Sequence, residues 1–320
     1  MNAMRVFLAA CASLILATSS AARADYPGRP VTIIVGYNAG GGTDIVARTI
    51  AEALAKRWGH RVLVENRPGA QGSIGVRTLK SAAPDGYTLG VWSTSDVGNA
   101  GIQDKLGYDL VQDFEHVSQL ASGATVLVVK SALPVQDFPQ YVEYAAKNKG
   151  ALNVAVVSGG DLHLDTVRIN RAAKIETAII GYPGTAPGLT DVVAGHSDAI
   201  LLPLAPASSH IKSGTIRAIA VGSAKRWAAL PDVKTFSETI PGLESTFFYG
   251  IVAPKSTPQA IVAKINASVL EALDEPELQK KFETLGFVSG GSSPAEFKAT
   301  VAKKLEVSRE TAREAGMRRN

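Results

Sequence analysis

The chain has 320 residues, of which 46% are hydrophobic and 19% charged, so it is not a disordered chain and can bury the cores of two lobes of ordinary size. Its formal net charge of +4 is small and its basic residues are scattered, which argues against a nucleic-acid-binding face. Beyond the N-terminal segment, no apolar run approaches the ~20 residues that a membrane-spanning helix needs.

Residues 1–24 have the three zones of a secretory signal peptide. Arg5 precedes the apolar run Val6–Ala17 and the small-residue site Ala22-Arg23-Ala24, and we expect cleavage after that site. Leu8-Ala9-Ala10-Cys11 also fits the pattern for lipid attachment, but the apolar run before Cys11 is short, so we favour a soluble exported form. Because Cys11 is the only cysteine, the mature chain is expected to have no disulfide and no cysteine-based metal site.

The mature chain alternates strand-like apolar runs with helical patterns, which indicates an α/β fold with parallel sheets. The predicted strands are Val31–Val35, Arg61–Glu65, Tyr87–Trp92, Thr125–Val129, Leu152–Val157, Ile175–Ile180, Asp198–Leu202 and Ile216–Val221. A turn-rich link, 229–242, then leads to the apolar run Thr246–Ala253 and to helices predicted at Pro258–Leu273, Glu275–Leu285 and Pro294 to about Ala315. Terminal helices without intervening strands are typical of a segment that packs back onto a lobe already formed.

The connection between the first strand and the first helix is rich in glycine. Gly40-Gly41-Gly42 precedes a helix that is predicted to begin near Thr43, and the apolar stripe of this helix follows helical spacing. The first-turn amides of a helix have no intrahelical partner, and glycine lets an anion approach without meeting a Cβ atom. The loop therefore predicts an anion site, although the glycines could also merely turn the chain while Thr43 caps the helix.

Three ligand chemistries fit such a loop. Dinucleotide binding is suggested by Glu65 at the end of the second strand, but Ile45 stands where the third glycine of that fingerprint belongs. A nucleotide-hydrolysing phosphate loop needs a Gly-Lys-Ser/Thr sequence, which does not follow here. Capture of a small carboxylate by backbone amides needs neither a catalytic side chain nor a cofactor, and we favour it.

Two later strands also end in small residues just before a predicted helix. Ser158-Gly159-Gly160-Asp161-Leu162-His163 follows one strand, and the segment 181–187 follows the next. Strand ends of this kind are where open α/β sheets bind ligands. An exported hydrolase with Ser158, His163 and Asp161 as a triad is the alternative, but no Gly-x-Ser-x-Gly elbow surrounds the serine. The five histidines show no metal-ligand spacing.

A series of short motifs runs in order through nearly the whole mature chain. It includes Gly40-Gly41-Gly42-Thr43-Asp44, 64–70 (VENRPGA), 83–89 (APDGYTL), 184–187 (GTAP) and 230–233 (LPDV). By these motifs the chain resembles the Bug family, the periplasmic substrate-binding proteins of tripartite tricarboxylate transport.

The resemblance implies a two-lobe periplasmic-binding-protein fold of type II-like form, in which each lobe is a sheet flanked by helices and the ligand cleft lies between them. Lobe 1 is expected to comprise residues 25–122 plus 228–320, and lobe 2 residues 123–227. The resemblance also implies a periplasmic, non-enzymatic monomer that binds a small carboxylate without a cofactor. Its expected protein partner is a membrane permease or a signalling sensor.

The resemblance assigns ligand contacts to both lobes. They are Tyr37, Asn38, Gly41, Thr43 and Asp44 from lobe 1, and Ser158, Gly160, His163, Thr185 and Ala186 from lobe 2. Asp44 has a second interpretation as a charge that stabilises the helix start, and His163 as a hydrogen-bonded structural residue.

Asp161 departs from the family pattern, which usually has Gly-Thr or Gly-Ser where this chain has Gly160-Asp161. A fixed negative charge at this position would oppose a ligand carboxylate at close range. We expect the Asp161 side chain either to point to solvent or to contact an amine or hydroxyl group of the ligand.

Overall fold

The computed structural model describes residues 26–182 and 184–317, so the predicted signal peptide and Cys11 lie outside the described residues. The strands are β1 (Val31–Val35), β2 (Val62–Asn66), β3 (Thr88–Ser93), β4 (Phe114–Lys130), β5 (Asn153–Val157), β6 (Ala178–Tyr182), β7 (Ala199–Pro203), β8 (Ile216–Val221), β9 (Thr246–Pro254) and β10 (Val288–Ser289). The α-helices are α1 (Gly42–Trp58), α2 (Ser73–Lys80), α3 (Thr94–Ile102), α4 (Phe138–Lys147), α5 (Asp161–Ala172), α6 (Thr185–Ala194), α7 (Leu204–Lys212), α8 (Gln259–Leu273), α9 (Pro276–Thr284) and α10 (Pro294–Glu314).

The strands lie in the order β2-β1-β3-β9-β4-β7-β5-β6, and β8 and β10 pair with other parts of β4. β1 is parallel to β2 and β3, and β5 is parallel to β6 and β7, as the alternating pattern predicts. β9 is antiparallel to β3 and β4, and β4 is antiparallel to β7 and β8. The sheets are therefore mixed, because β9 returns to the first lobe without the crossover helix that a parallel neighbour requires.

β4 is the element that the two lobes share. Residues 114–124 pair with β9, and residues 125–130 pair with β7 and β8. The sequence predicted only the second half, since polar residues such as His116, Ser118 and Gln119 interrupt the apolar pattern of the first half. The register against β9 shifts twice in this half, between His116 and Ser118 and between Gln119 and Ala121. Such bulges change which face a side chain occupies, so simple alternation fails.

Three backbone segments meet where the chain passes between lobes. The amide of Gly222 donates to the carbonyl of Thr125 at 2.7 Å, and the amide of Thr125 donates to the carbonyl of Ser245 at 3.0 Å. A Cβ atom on Gly222 would lie 2.0 Å from the Ser245 carbonyl oxygen, so the approach requires glycine. We call Thr125, Gly222 and Ser245 the hinge.

The segment between Gly222 and Ser245 packs on the second sheet. Phe236 and Leu243 belong to the core that also contains Phe138 and Leu201. On this packing we propose that the chain returns to the first lobe at about residue 245, later than the residue 228 expected from the sequence.

The first lobe has a core on each face of its sheet. Val46, Ile50 and Leu54 of α1 pack against one face, as their helical spacing predicts. The terminal helices α8 and α10 also pack on this lobe, through residues such as Ile265 and Phe297. The expectation that no strand separates the terminal helices is wrong, because β10 lies between α9 and α10 and pairs with β4. Among the described helices, none combines the length and apolar character needed to cross a bilayer.

His116 lies within the aromatic part of this core, between Trp92 and Phe297. The side chain is 3% exposed, and its two ring nitrogens find no hydrogen-bond partner among the described residues. Burial lowers the pKa of His116 from 6.5 to about 4, because the apolar surroundings disfavour the imidazolium.

The His116 pKa predicts a loss of stability in mild acid. Between pH 6.5 and about 4 the unfolded chain binds a proton that the folded chain does not, so the free energy of unfolding falls by up to ~3 kcal/mol as the pH is lowered. Thermal unfolding of the wild type and of His116→Phe, measured between pH 7 and 4.5, should show a smaller loss of Tm in the variant. Parallel loss in both proteins would contradict the assignment.

Candidate functional site

The first helix begins with an N-cap residue that has no side chain. Gly41 is the N-cap of α1 and no side-chain hydrogen bond caps this helix, so the first-turn amides of Gly42 and Thr43 are not capped from that position. The same end of the helix carries the positive pole of the helix dipole. Backbone amides and dipole together favour a bound anion here.

Asp44 holds the glycine-rich loop in shape. Its carboxylate accepts hydrogen bonds from the amide of Gly40 at 2.9 Å, from Nε of Arg48 at 3.0 Å and from Nδ2 of Asn66 at 2.9 Å. The side chain is 2% exposed, and these bonds lower its pKa despite the opposing effect of burial. The structure therefore gives Asp44 a loop-supporting role, which agrees with its structural interpretation.

Two helices of the second lobe begin in the same way as α1. The N-cap of α5 is Gly160 and the N-cap of α6 is Gly184, and neither helix has a side-chain cap. The preceding strands β5 and β6 are parallel neighbours, so both helix starts lie at one edge of the second sheet.

The two lobes contact each other at these loops. Ser95 of α3 donates a hydrogen bond from Oγ to Oδ1 of Asp161 at 3.0 Å. Gln71 donates from Nε2 to the carbonyl of Ser158 at 3.4 Å. Gln71 and its neighbour Ala70 have φ angles of 54° and 47°, a left-handed conformation that side chains adopt at a cost. This strained conformation occurs where the loop contacts the second lobe.

Tyr249 links the first helix to Asp161. A Cβ atom on Gly42 would lie 2.4 Å from the Tyr249 hydroxyl oxygen, so this hydroxyl sits directly against the start of α1. The pKa of Tyr249 is raised by burial and then by the charge of Asp161. The hydroxyl therefore lies against the start of α1, and Tyr249 pairs with Ser93, two residues before the Ser95 that bonds Asp161.

Asp96 is a buried acid close to the Tyr37 hydroxyl. It forms a capping box with Ser93 at the start of α3, accepting from the Ser93 amide at 2.8 Å and from its hydroxyl at 3.2 Å. A Cβ atom on Gly72 would meet both Asp96 Oδ1 and the Tyr37 hydroxyl, at 2.6 and 2.9 Å, which places these two groups side by side. Burial raises the pKa of Asp96 to about 7.

The structure brings several of the predicted residues together. Tyr37 and Asp161 are close enough for the Asp161 charge to raise the Tyr37 pKa, although burial and Asp96 raise it more. The alternative in which Asp161 points to solvent is wrong, because the side chain is 3% exposed and bonded to Ser95. Thr43 is buried, Thr185 is half-buried, and Asn38, Gly41, Ser158 and Ala186 are exposed at the loop ends.

The contacts of Ser158, His163 and Asp161 are not those of a catalytic triad. Nδ1 of His163 accepts from the amide of Gly159 at 3.4 Å, and the Asp161 carboxylate accepts from Ser95. A hydrolase triad requires the acid to orient the histidine and the histidine to bond the nucleophile. Within residues 26–182 and 184–317, no cluster of three potential metal ligands is found.

The sequence did not predict four residues of this site, which are Ser93, Asp96, Tyr249 and Gln71. Ser93 and Asp96 had a usable signal, since Ser-x-x-Asp directly after a strand is a capping-box pattern. Tyr249 and Gln71 had none, because their roles depend on a pairing and a loop conformation that join distant parts of the chain.

A cavity of about 350 Å³ also lies at the hinge. Residues from both lobes line it, among them Gly123, Lys225, Arg226, Trp227, Thr246 and Phe247. None of the predicted ligand contacts lines this cavity. It is therefore a separate feature from the glycine-capped helix starts.

Comparison with known proteins agrees with this architecture. A family model described as tripartite tricarboxylate transporter family receptor matches residues 46–312. The UPF0065 protein in the gbd 5' region of Cupriavidus necator is 33% identical over 302 residues, which cover 92% of this chain and 92% of that protein. The periplasmic binding protein BugD is 30% identical with a TM-score of 0.79, over 92% of this chain and all of that one (100%). R. palustris Rpa4515, solved with adipate, is 30% identical with a TM-score of 0.81, over 91% of this chain and 99% of that one.

The contact between Gly42 and Tyr249 predicts a specific rescue. Gly42→Ala places a methyl group against the Tyr249 hydroxyl and should destabilise the protein by ~1–3 kcal/mol. Adding Tyr249→Phe removes the hydroxyl, and the next ring atom would lie 3.3 Å from the methyl, so most of the lost stability should return. Urea unfolding of the two single variants and the double variant measures the coupling. Additive effects would show that the two residues do not meet.

The raised Asp96 pKa predicts a second pH effect of opposite sign. Between its unfolded pKa of 3.8 and about 7, the folded chain holds a proton that the unfolded chain has lost, so this group's contribution of up to ~4 kcal/mol declines as the pH rises. Asp96→Asn keeps an acceptor for the Ser93 amide but has no proton to lose. The Tm of the variant relative to the wild type should rise from pH 4.5 to 7.5, and a constant difference would contradict the buried acid.

Proposed function

The chain belongs to the tripartite tricarboxylate transporter receptor family, and we propose that it captures a small carboxylate between its two lobes. It is a solute-binding protein of the same type as BugD. The observation that carries the carboxylate proposal is the start of α1, where a glycine N-cap leaves first-turn amides uncapped beside the Tyr249 hydroxyl.

The amide donors and the helix dipole at the start of α1 match a carboxylate group. Two carboxylate oxygens can accept several amide hydrogen bonds at once, and the helix dipole adds a favourable field. The exposed Gly41 has no Cβ to block the approach. Adipate in the solved Rpa4515 structure supports the same ligand class for this chain.

We propose that the lobes close over the ligand by motion at the hinge. Three crossing segments join the lobes, and small changes in their backbone angles would move one lobe relative to the other. Ser95 and Gln71 contact the second lobe in the present arrangement, and opening would break these contacts, so they and the ligand would favour the same closed state.

We also propose a cellular role for the chain. It comprises export by the signal sequence of residues 1–24, a monomeric periplasmic form, delivery of the ligand to a membrane permease, and no catalysis. The bond from the Gly159 amide to His163 and the bond from Ser95 to Asp161 give these side chains partners within the loops, which supports a binding role. The family relationship supports the permease as partner.

The carboxylate proposal is tested by filling the N-cap position with a fixed anion. A Cβ atom on Gly41 would have only the Asn38 carbonyl oxygen within 4 Å, at 3.5 Å, so an aspartate fits. In Gly41→Asp the new carboxylate caps α1 and repels a ligand carboxylate, so affinity should fall at least about tenfold while Tm stays equal or rises. Calorimetry with the tightest ligand from a thermal-shift panel of two- to eight-carbon acids measures the affinity.

Gly41→Asn is the matched control. Asparagine has the same shape and caps the helix without a charge, so its loss of affinity should be clearly smaller. Equal affinity in wild type and Gly41→Asp would exclude the start of α1 as the carboxylate site. Failure of every acid in the panel to bind the wild type would refute the proposed function.

A further inference from the structure

Asp161 is an unusual group to find at a carboxylate site. It is the first residue of α5, it is 3% exposed, and its Oδ1 accepts a hydrogen bond from Ser95 across the cleft. A Cβ atom on Gly98 would lie 2.5 Å from the Asp161 amide nitrogen, so the glycine of α3 permits this close approach. The carboxylate is thus held between the lobes by structure that both lobes supply.

Sheet pairing places Asp161 near the amide site. The Tyr249 hydroxyl lies against Gly42 at the start of α1, and Tyr249 pairs with Ser93, two residues before the Ser95 that bonds Asp161. A small ligand whose carboxylate rested on the α1 amides would therefore have Asp161 near its other end.

The partner found for Asp161 among the described residues does not neutralise its charge. The hydrogen-bond partner of Asp161 is the uncharged hydroxyl of Ser95, and a carboxylate has acceptor capacity beyond one bond. A second carboxylate on the ligand would meet like charge, whereas an ammonium group would supply both opposite charge and donors.

We propose that Asp161 determines specificity, selecting ligands that carry an ammonium group as well as a carboxylate. This inference rests on the proposed function, because it assigns the second end of the ligand that α1 is proposed to bind. An acid with an amine can bind both the α1 amides and Asp161, whereas a plain dicarboxylate can bind only the α1 amides. Discrimination of this kind comes from repulsion of the wrong ligand as much as from attraction of the right one.

The test compares acids that differ in a single substituent. Succinate, malate and aspartate form one series with –H, –OH and –NH₃⁺ at the same carbon, and glutarate, 2-hydroxyglutarate and glutamate form the next. Butyrate, 4-hydroxybutyrate and 4-aminobutyrate place the substituent at the far end. Calorimetry of the wild type should show, in at least one series, an amino member that binds about tenfold or more tightly than both other members.

Two variants identify the residue responsible. Asp161→Asn should reduce the preference for the amino member to about threefold or less, because the charge is lost while the shape is kept. Ser95→Ala removes the hydroxyl donor but keeps the charge, so the preference should persist. Glu143→Gln changes an exposed acid of the second lobe at 66% side-chain exposure, removes one negative charge as Asp161→Asn does, and should leave both affinity and preference unchanged.

The outcomes separate this inference from the proposed function. Tight binding of unsubstituted or hydroxy acids with no preference for the amine would overturn the role of Asp161 and leave carboxylate capture intact. An amine preference that survives Asp161→Asn would likewise overturn it. If Asp161→Asn does not fold, Asp161→Ser takes its place, and an amine preference that survives Asp161→Ser overturns the role of Asp161 in the same way. If no member of any series binds, the proposed function fails and this inference fails with it.

Discussion

Backbone amides at glycine-capped helix starts are the groups on which the rest of this structure depends. α1, α5 and α6 each follow a strand, and each begins with a glycine that offers no side chain to the first-turn amides. In a helix that had only a structural role, Ser, Thr, Asp or Asn at this position would stabilise the start by ~1 kcal/mol. Three glycines at three such positions give up that stabilisation and leave donors available to a ligand.

The hinge and the C-terminal helix both contact the second lobe at Asp165. Asp165 of α5 accepts a hydrogen bond from Ser245 at 2.7 Å and contacts Lys304 of α10 at 3.3 Å. The Asp165 side chain is 3% exposed, so its charge must be compensated by these partners. Motion of the second lobe therefore has to keep or break a buried ionic contact, which favours discrete positions over continuous flexing.

Local patterns in the sequence were sufficient for the parts of the fold that local physics determines. The helical stripe of α1 is confirmed, because burial on one face imposes a period that can be read directly. The apolar run Thr246–Ala253, for which the sequence predicts no element type, forms most of β9. The first half of β4 was missed, since its bulges break that period. β6 begins at Ala178, three residues later than predicted, although Ile175 is buried in the core.

The candidate site likewise has parts that local sequence patterns predict and parts that they do not. Glycine-rich strand ends identified the loops, but Tyr249 lies about two hundred residues from Gly42 and reaches it only through sheet pairing. The burial of Asp161 depends on Gly98, which no spacing rule connects to it. The sequence therefore identified the loops of the candidate site, whereas the partners that give each side chain its role required the tertiary structure.

The most direct test of carboxylate capture is the response of backbone amides to ligand in ¹⁵N-resolved NMR spectra. On titration with the carboxylate that most raises Tm, we expect the amide protons of Gly42 and Thr43 to shift strongly downfield, because they would donate to a negative acceptor. If the ligand binds while these amides stay unmoved and the shifts fall on the residues of the hinge cavity, such as Gly123 and Thr246, then the start of α1 does not bind the carboxylate.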